Sequence, residues 1–202
     1  MYWNYGQFDA SVLAAARKIL RYLSESERSD PALLARGVTR AINNQGGDGV
    51  LTGNWSGEYA GDGHPENAKP PTHWRGSPEI LGQWVKTYKA VCYGQCWVFA
   101  GITTSIFRCL GLASRQVSNY RSAHDTHNNR MIEEYYDEDG NKQDSADSIW
   151  NFHVWNEVYM SRPDLPIRSA EGAPLHLGGW QACDATPQEA AVARAAAKAG
   201  GV

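Results

Sequence analysis

Apolar residues recur along the first half of the chain at helical spacing. From Phe8 to Leu23, Val12, Leu13, Ala16, Ile19, Leu20 and Leu23 share one face, and Asp9 stands where a helix cap belongs. Pro31 to Ile42 repeats the pattern, with proline near the start and Leu33, Leu34, Val38 and Ile42 apolar. The run Asn43 to Gly49 (NNQGGDG) reads as a turn, and Gly61 to Pro78, rich in proline and glycine, as a long irregular loop. Helical periodicity resumes from Ser77 to Tyr88 through Ile80, Leu81, Trp84 and Val85. Cys96 to Leu110 (CWVFAGITTSIFRCL) is apolar almost all round, as expected of a central buried helix, and Gly111 is its natural stop.

Beyond Gly111 the period changes to two. Ala113 to Tyr120 reads as a strand. Met131 to Tyr136 reads as a strand entering a hairpin turn at Asp137 to Asn141. Ile149 to Met160 alternates, with Trp150, Phe152, Val154 and Asn156 on one side and Asn151, His153, Trp155 and Glu157 on the other. Gly179 to Ala185 is a further strand. Helices followed by several strands predict an α+β fold with an antiparallel sheet. A core domain is expected over residues 1–189, with 190–202 an alanine-rich tail or linker.

Composition narrows the function classes. The chain has 202 residues, 42% apolar and 20% charged, which suits one soluble domain with a sizeable core. A formal net charge of −3 gives no basis for nucleic-acid binding, and no apolar run reaches the length of a membrane span. The start, Met1-Tyr2-Trp3-Asn4, lacks the pattern of a signal peptide. The four cysteines (Cys92, Cys96, Cys109, Cys183) match no disulfide scaffold and no zinc spacing. They read as reduced thiols, which favours a cytoplasmic over a secreted protein.

Three residues are candidates for chemistry. Cys96 opens the buried helix, where unpaired N–H groups and partial positive charge suit a thiolate nucleophile and a developing oxyanion. His153 sits among aromatics on a strand that would fix its imidazole. Asp184 follows the apolar Ala182-Cys183 at a strand end, where an acid can orient an imidazole. Each taken alone also fits a purely structural role. The order Cys, His, Asp over a helix and two strands is a papain-like arrangement.

The segments around these residues extend the pattern. Tyr93-Gly94-Gln95-Cys96-Trp97-Val98-Phe99-Ala100 resembles the active-site signature of the animal-type transglutaminases. Trp150 to Glu157 (WNFHVWNE) resembles the family's His segment, and Gly179 to Glu189 (GWQACDATPQE) its Asp segment. Ser122-Ala123-His124-Asp125, Gly49 to Trp55 (GVLTGNW) and Trp3 to Phe8 (WNYGQF) also match, so the resemblance runs through nearly the whole chain as a truncated or minimal core.

The resemblance implies acyl transfer from protein glutamine to lysine or to polyamines, through a thioester on Cys96, with His153 as acid and base and Asp184 as orienter. Water competes for the thioester, so the same resemblance gives Trp55 and Trp150 the walls of an amine channel, and Trp55 an oxyanion donor. It also implies calcium, held by Asp125, Asn129, Asp147 and the Met131 carbonyl. His127 stands there in place of the family's usual acid. A second, weaker calcium set would use Asn43 and Asp48, where Gly46 and Gly47 replace acids. The stretch Asp164 to Gly179 is longer than the family's and reads as a surface insertion. The rival expectations are a cysteine hydrolase on the same scaffold (protease, amidase or deamidase) and an inactive structural relative. The oligomeric state is open.

Overall fold

A computed structural model describes residues 2–127, 129–165 and 177–187. The chain divides into two compact units, one of Met1–Val117 and Val154–Pro187, the other containing Ser118–His153.

The first unit is built on helices. α1 (Ala10–Tyr22) starts at Asp9, whose carboxylate accepts the Ser11 N–H. Val12, Ala15, Ala16 and Ile19 form its buried face, while Leu13 turns out to solvent. α2 (Glu25–Ser29) is a single capped turn with no buried residue, so the apolar pattern gave no sign of it. α3 (Pro31–Ile42) has the expected bounds. Asp30 caps it by accepting from Ala32 and Leu33 N–H. The turn after it is a short 3-10 helix, Asn44–Gly46, closed by Gly47 at φ 92°.

β1 (Leu51–Gly53) and β2 (Val91–Gly94) were not expected. They pair in parallel, Leu51 with Val91, Thr52 with Cys92 and Gly53 with Gly94. The long loop between them holds a 3-10 turn (Pro71–His73) and then α4 (Ser77–Thr87). α5 (Cys96–Cys109) follows β2 directly and is buried from Val98 to Phe107. Its Gly101 leaves room for the Trp3 indole, which would lie 2.5 Å from a Cβ there. Trp3 Nε1 donates to Ser77 Oγ at 2.9 Å, and Ser105 Oγ donates to the same oxygen at 2.6 Å. The start of the chain is thereby fixed to α4 and α5.

β3 (Ser114–His124), β4 (Ser148–Met160) and β5 (Gly179–Cys183) form a three-stranded sheet in that order. β5 runs antiparallel to β4, from Met160 opposite Gly179 to Asn156 opposite Cys183. The alternation read along β4 holds from Val154 onward, where Val154, Asn156, Val158 and Met160 are buried, whereas Phe152 of the expected inner face is exposed. The α+β class is therefore as expected.

One strand is not. Met131 to Tyr136 forms no strand; only the Tyr136–Lys142 bridge survives beside the Asp137 turn. Its backbone donors are taken by side chains instead. Met131 N–H donates to Asn129 Oδ1 at 2.9 Å and Glu133 N–H to Asp147 Oδ2 at 3.1 Å. The alanine-rich tail and most of the expected 164–179 insertion lie outside the described residues. Among the described residues no helix is long and apolar enough to cross a membrane.

Candidate active site

The parallel β1–β2 pair is what brings the first functional side chains together. Both strands end at the Gly53–Gly94 pair. Two residues on, one chain reaches Trp55 and the other Cys96. Asn54 N–H donates to the Gly94 carbonyl at 3.1 Å, carrying the alignment one step past the strands.

Cys96 is the first residue of α5 and is 4% exposed. A helix start carries N–H groups with no carbonyl a turn behind them, so the site has donors and positive potential where a thiolate or oxyanion needs them. Cys96 packs in a small buried cluster with Ala100 and Val154. Val154 is the residue after His153 in β4. Two positions further, the Asn156 amide donates to the Ala100 carbonyl at 3.0 Å and to Thr104 Oγ1 at 2.7 Å. That side chain holds β4 against the Cys96 helix.

Asp184 leaves the sheet just beyond the last β4–β5 pair, Asn156 with Cys183. Its Oδ1 accepts the Thr186 N–H at 2.8 Å, an Asx turn that fixes the carboxylate at the strand end. Burial, and the Asp184 carboxylate beside it, push the Cys183 thiol up to about 12. None of the four cysteines is in a disulfide. The thiols of Cys92 and Cys109 are also raised by burial.

Trp55 is 45% exposed, and its ring lies parallel to Phe99 of α5, centroids 6.5 Å apart. The ring closes over Gly53, where a Cβ would meet its Cζ3 at 2.4 Å.

The second unit holds His153 and Trp150. The Trp150 ring meets His153 edge-on at 5.7 Å and stacks on His124 at 4.6 Å. Its Nε1 donates to Ser148 Oγ at 3.1 Å. The imidazole thus has an aromatic wall on its own strand.

The candidate calcium residues lie in the loop from Asp125 to Asp147. Asp147 is buried, and its oxygens accept from Thr126 N–H (2.8 Å) and Glu133 N–H (3.1 Å). These bonds hold its carboxyl below the ordinary carboxylate range. Asp125 Oδ2 accepts the Arg130 N–H at 2.6 Å, while its Oδ1 is buried without a hydrogen-bond partner among the described residues. Asn129 Oδ1 is occupied by Met131 N–H. The loop brings in two further groups: His127 Nδ1 lies 3.4 Å from Glu133 Oε2 and 3.5 Å from Asp147 Oδ1. Ligand atoms of His127, Glu133 and Asp147 lie within 4.8 Å of one another. Glu133 carried no signal in the sequence, because only the folded loop places it beside Asp147. At the weaker set, Asn43 Oδ1 accepts the Gln45 N–H at 2.8 Å, and Asn43 and Asp48 line a groove of about 650 Å³ beside the 3-10 turn.

Residues 64–185 match the model of the transglutaminase-like superfamily. The chain belongs to this superfamily. It is 46% identical to protein-glutamine gamma-glutamyltransferase K of Oryctolagus cuniculus over 191 residues, 93% of this chain and 21% of that protein. Annulin of Schistocerca americana is 44% identical over 192 residues, covering 93% of this chain and 24% of its own. The crystal structure of red sea bream transglutaminase superposes with a TM-score of 0.77 at 38% identity, over 93% of this chain and 28% of that one. The chain therefore spans between about a fifth and just over a quarter of the length of these relatives.

Proposed function

We propose that this chain carries the chemistry of a protein-glutamine γ-glutamyltransferase, joining glutamine side chains to lysine or polyamine nitrogen. The observation that carries the reading is the packing of Val154 on Cys96 and Ala100. It ties the residue next to His153 to the helix start that bears the thiol. Relatives named as glutamyltransferases at 46% identity support the substrate class.

In this reading the Cys96 sulfur attacks the glutamine carboxamide carbon. The oxygen takes the negative charge beside the α5 N-terminus and the Trp55 indole N–H. Collapse breaks the C–N bond; His153 gives its proton to the leaving nitrogen, and ammonia departs to leave a Cys96 thioester. The incoming amine then attacks the thioester carbon, His153 takes the amine proton, and the thiol is restored. Asp184, fixed by its Asx turn, holds the imidazole. Trp55 and Trp150 keep water from the thioester.

Calcium fits the Asp125–Asp147 loop. A buried Asp125 oxygen without a hydrogen-bond partner among the described residues and a buried Asp147 carboxylate are hard donors suited to such a cation. Asp125, Asn129, Asp147 and the Met131 carbonyl would hold it, with Glu133 a further donor. The cation would supply positive charge that orders the loop. Four thiols outside any disulfide favour a reducing compartment.

The test is a glutamine-donor peptide with a fluorescent primary amine, with and without calcium. Amine incorporation coupled to ammonia release is the expected result. Ammonia release without incorporation would overturn the transferase reading in favour of a hydrolase.

A further inference from the structure

Gln95 occupies the N-cap position of α5, yet its side chain makes no cap hydrogen bond. Caps are normally short side chains that reach back to the first-turn N–H groups. The Gln95 amide points elsewhere. Its Nε2 donates to the Asn54 carbonyl at 3.0 Å and to the Tyr59 hydroxyl at 3.3 Å. An amide nitrogen has two hydrogens, so both bonds can be made at once.

The segment it grips is a rigid turn. Asn54 Oδ1 accepts from Ser56 N–H and Ser56 Oγ, each at 2.8 Å, and Asn54 Nδ2 donates to the Glu58 carbonyl at 2.8 Å. Trp55 sits inside this turn and moves with it. Its parallel contact with Phe99, at 6.5 Å between centroids, lies near the far end of the range for ring pairs and leaves the rest of the turn to be held by other contacts. The β1–β2 ladder has already ended at Gly53. Past that point two hydrogen bonds link the Asn54 backbone to the residues leading into Cys96: Asn54 N–H to the Gly94 carbonyl, and Gln95 Nε2 to the Asn54 carbonyl.

We propose that Gln95 is a positioning residue: its amide holds the Trp55 turn in register with Cys96 and so sets how the acyl-enzyme divides between amine and water. The proposal rests on the transferase reading above. Without the clamp, the half-exposed Trp55 turn keeps, among the described residues, the Asn54–Gly94 backbone bond and the Trp55–Phe99 ring contact. The indole then drifts from the oxyanion position and from the mouth of the amine path.

Gln95→Met keeps the length and removes the donor. In the full chain, this change is expected to lower kcat for amine incorporation about 10- to 100-fold, the scale of an ångström-level misplacement. The ratio of incorporation to ammonia release should fall with it. The rate of Cys96 alkylation by iodoacetamide and the melting temperature should stay near those of the parent. The decisive measurement is a double-mutant cycle with Trp55→Phe. If Gln95 acts through Trp55, adding Gln95→Met to Trp55→Phe changes kcat less than about twofold. Additive losses, an unchanged product ratio, or a parallel loss of Cys96 alkylation would each overturn the proposal. Should the parent chain release ammonia but incorporate no amine, the transferase reading fails. The same cycle, read on ammonia release, still decides whether Gln95 works through Trp55.

Discussion

The Asn156 side chain, fully buried, donates to Thr104 Oγ1 at 2.7 Å and to the carbonyl of Ala100 at 3.0 Å. Thr104 Oγ1 in turn donates to that same carbonyl at 2.9 Å. One amide thus joins the strand of His153 to the helix of Cys96. Asn156→Asp keeps the shape but turns the donor into an acceptor facing acceptors. Its cost is expected to be about 3 kcal/mol at pH 7, read by urea denaturation. The buried carboxyl would have a folded-state pKa raised above its unfolded value. The folded state then holds the extra proton, so the variant loses stability as pH rises from 4 to 8. A flat profile over that range would contradict the burial of this amide.

Cysteine alkylation separates accessibility from activation. Cys96 is buried, whereas Cys92, Cys109 and Cys183 are only partly so. Accessibility alone would therefore label Cys96 last. At pH 8, a thiol pushed up to about 12 is roughly one part in ten thousand thiolate, so Cys183 should be nearly inert. Raising the pH toward 10 should speed Cys183 labelling about tenfold per unit. Mass mapping after brief iodoacetamide treatment is expected to find Cys96 modified first. Equal labelling of the four would remove the case for a special thiol.

Periodicity made the long elements legible. The bounds of α3 match the reading, and those of α1, α4, α5 and β4 fall within a residue or two. Each carries a full apolar face. Short elements without such a face were not legible. α2 has no buried residue, and the three- and four-residue strands β1 and β2 are specified by each other across a long loop. Met131–Tyr136 failed for a different reason: Asn129 and Asp147 accept the N–H groups that a strand partner would use. The three catalytic candidates stood out by motif. What the motif could not reveal was that the Gln95 amide turns away from its own helix toward Asn54, or that Glu133 folds back onto Asp147.

Gly101 tests how the start of the chain is fastened. A Cβ at this position would meet Trp3 Cε2 at 2.5 Å, against a ring already held through Ser77. Gly101→Ala raises helix propensity by about 1 kcal/mol, yet the overpacking is expected to outweigh it and leave a net loss of about 1–2 kcal/mol. Trp3→Ala should convert the same glycine substitution from destabilising to stabilising. Thermal unfolding of the four variants would show that reversal of sign.

Acid should loosen the Asp125–Asp147 loop before it unfolds the rest. Hydrogen bonds from Glu133 N–H and Thr126 N–H, with His127 nearby, depress the Asp147 pKa. A depressed carboxyl contributes stability that is complete above its unfolded value, near 3.9, and is lost as pH falls through the folded value. Amide exchange at Thr126 and Glu133, corrected for intrinsic rate, should be independent of pH above 5 and accelerate below 4. Asp147→Asn should abolish that dependence.

His127 is expected to set the cation preference of the same loop. Its Nδ1 lies 3.4 and 3.5 Å from oxygens of Glu133 and Asp147, so it stands where a cation and its ligands would meet. An imidazole is a softer donor than a carboxylate and brings no negative charge. Calcium prefers charged oxygen, and its affinity rises with the number of carboxylates around it. His127→Asp is therefore expected to tighten calcium binding about tenfold or more, measured by titration calorimetry at pH 7.5. Equal calcium affinity in the two proteins would place the cation away from His127.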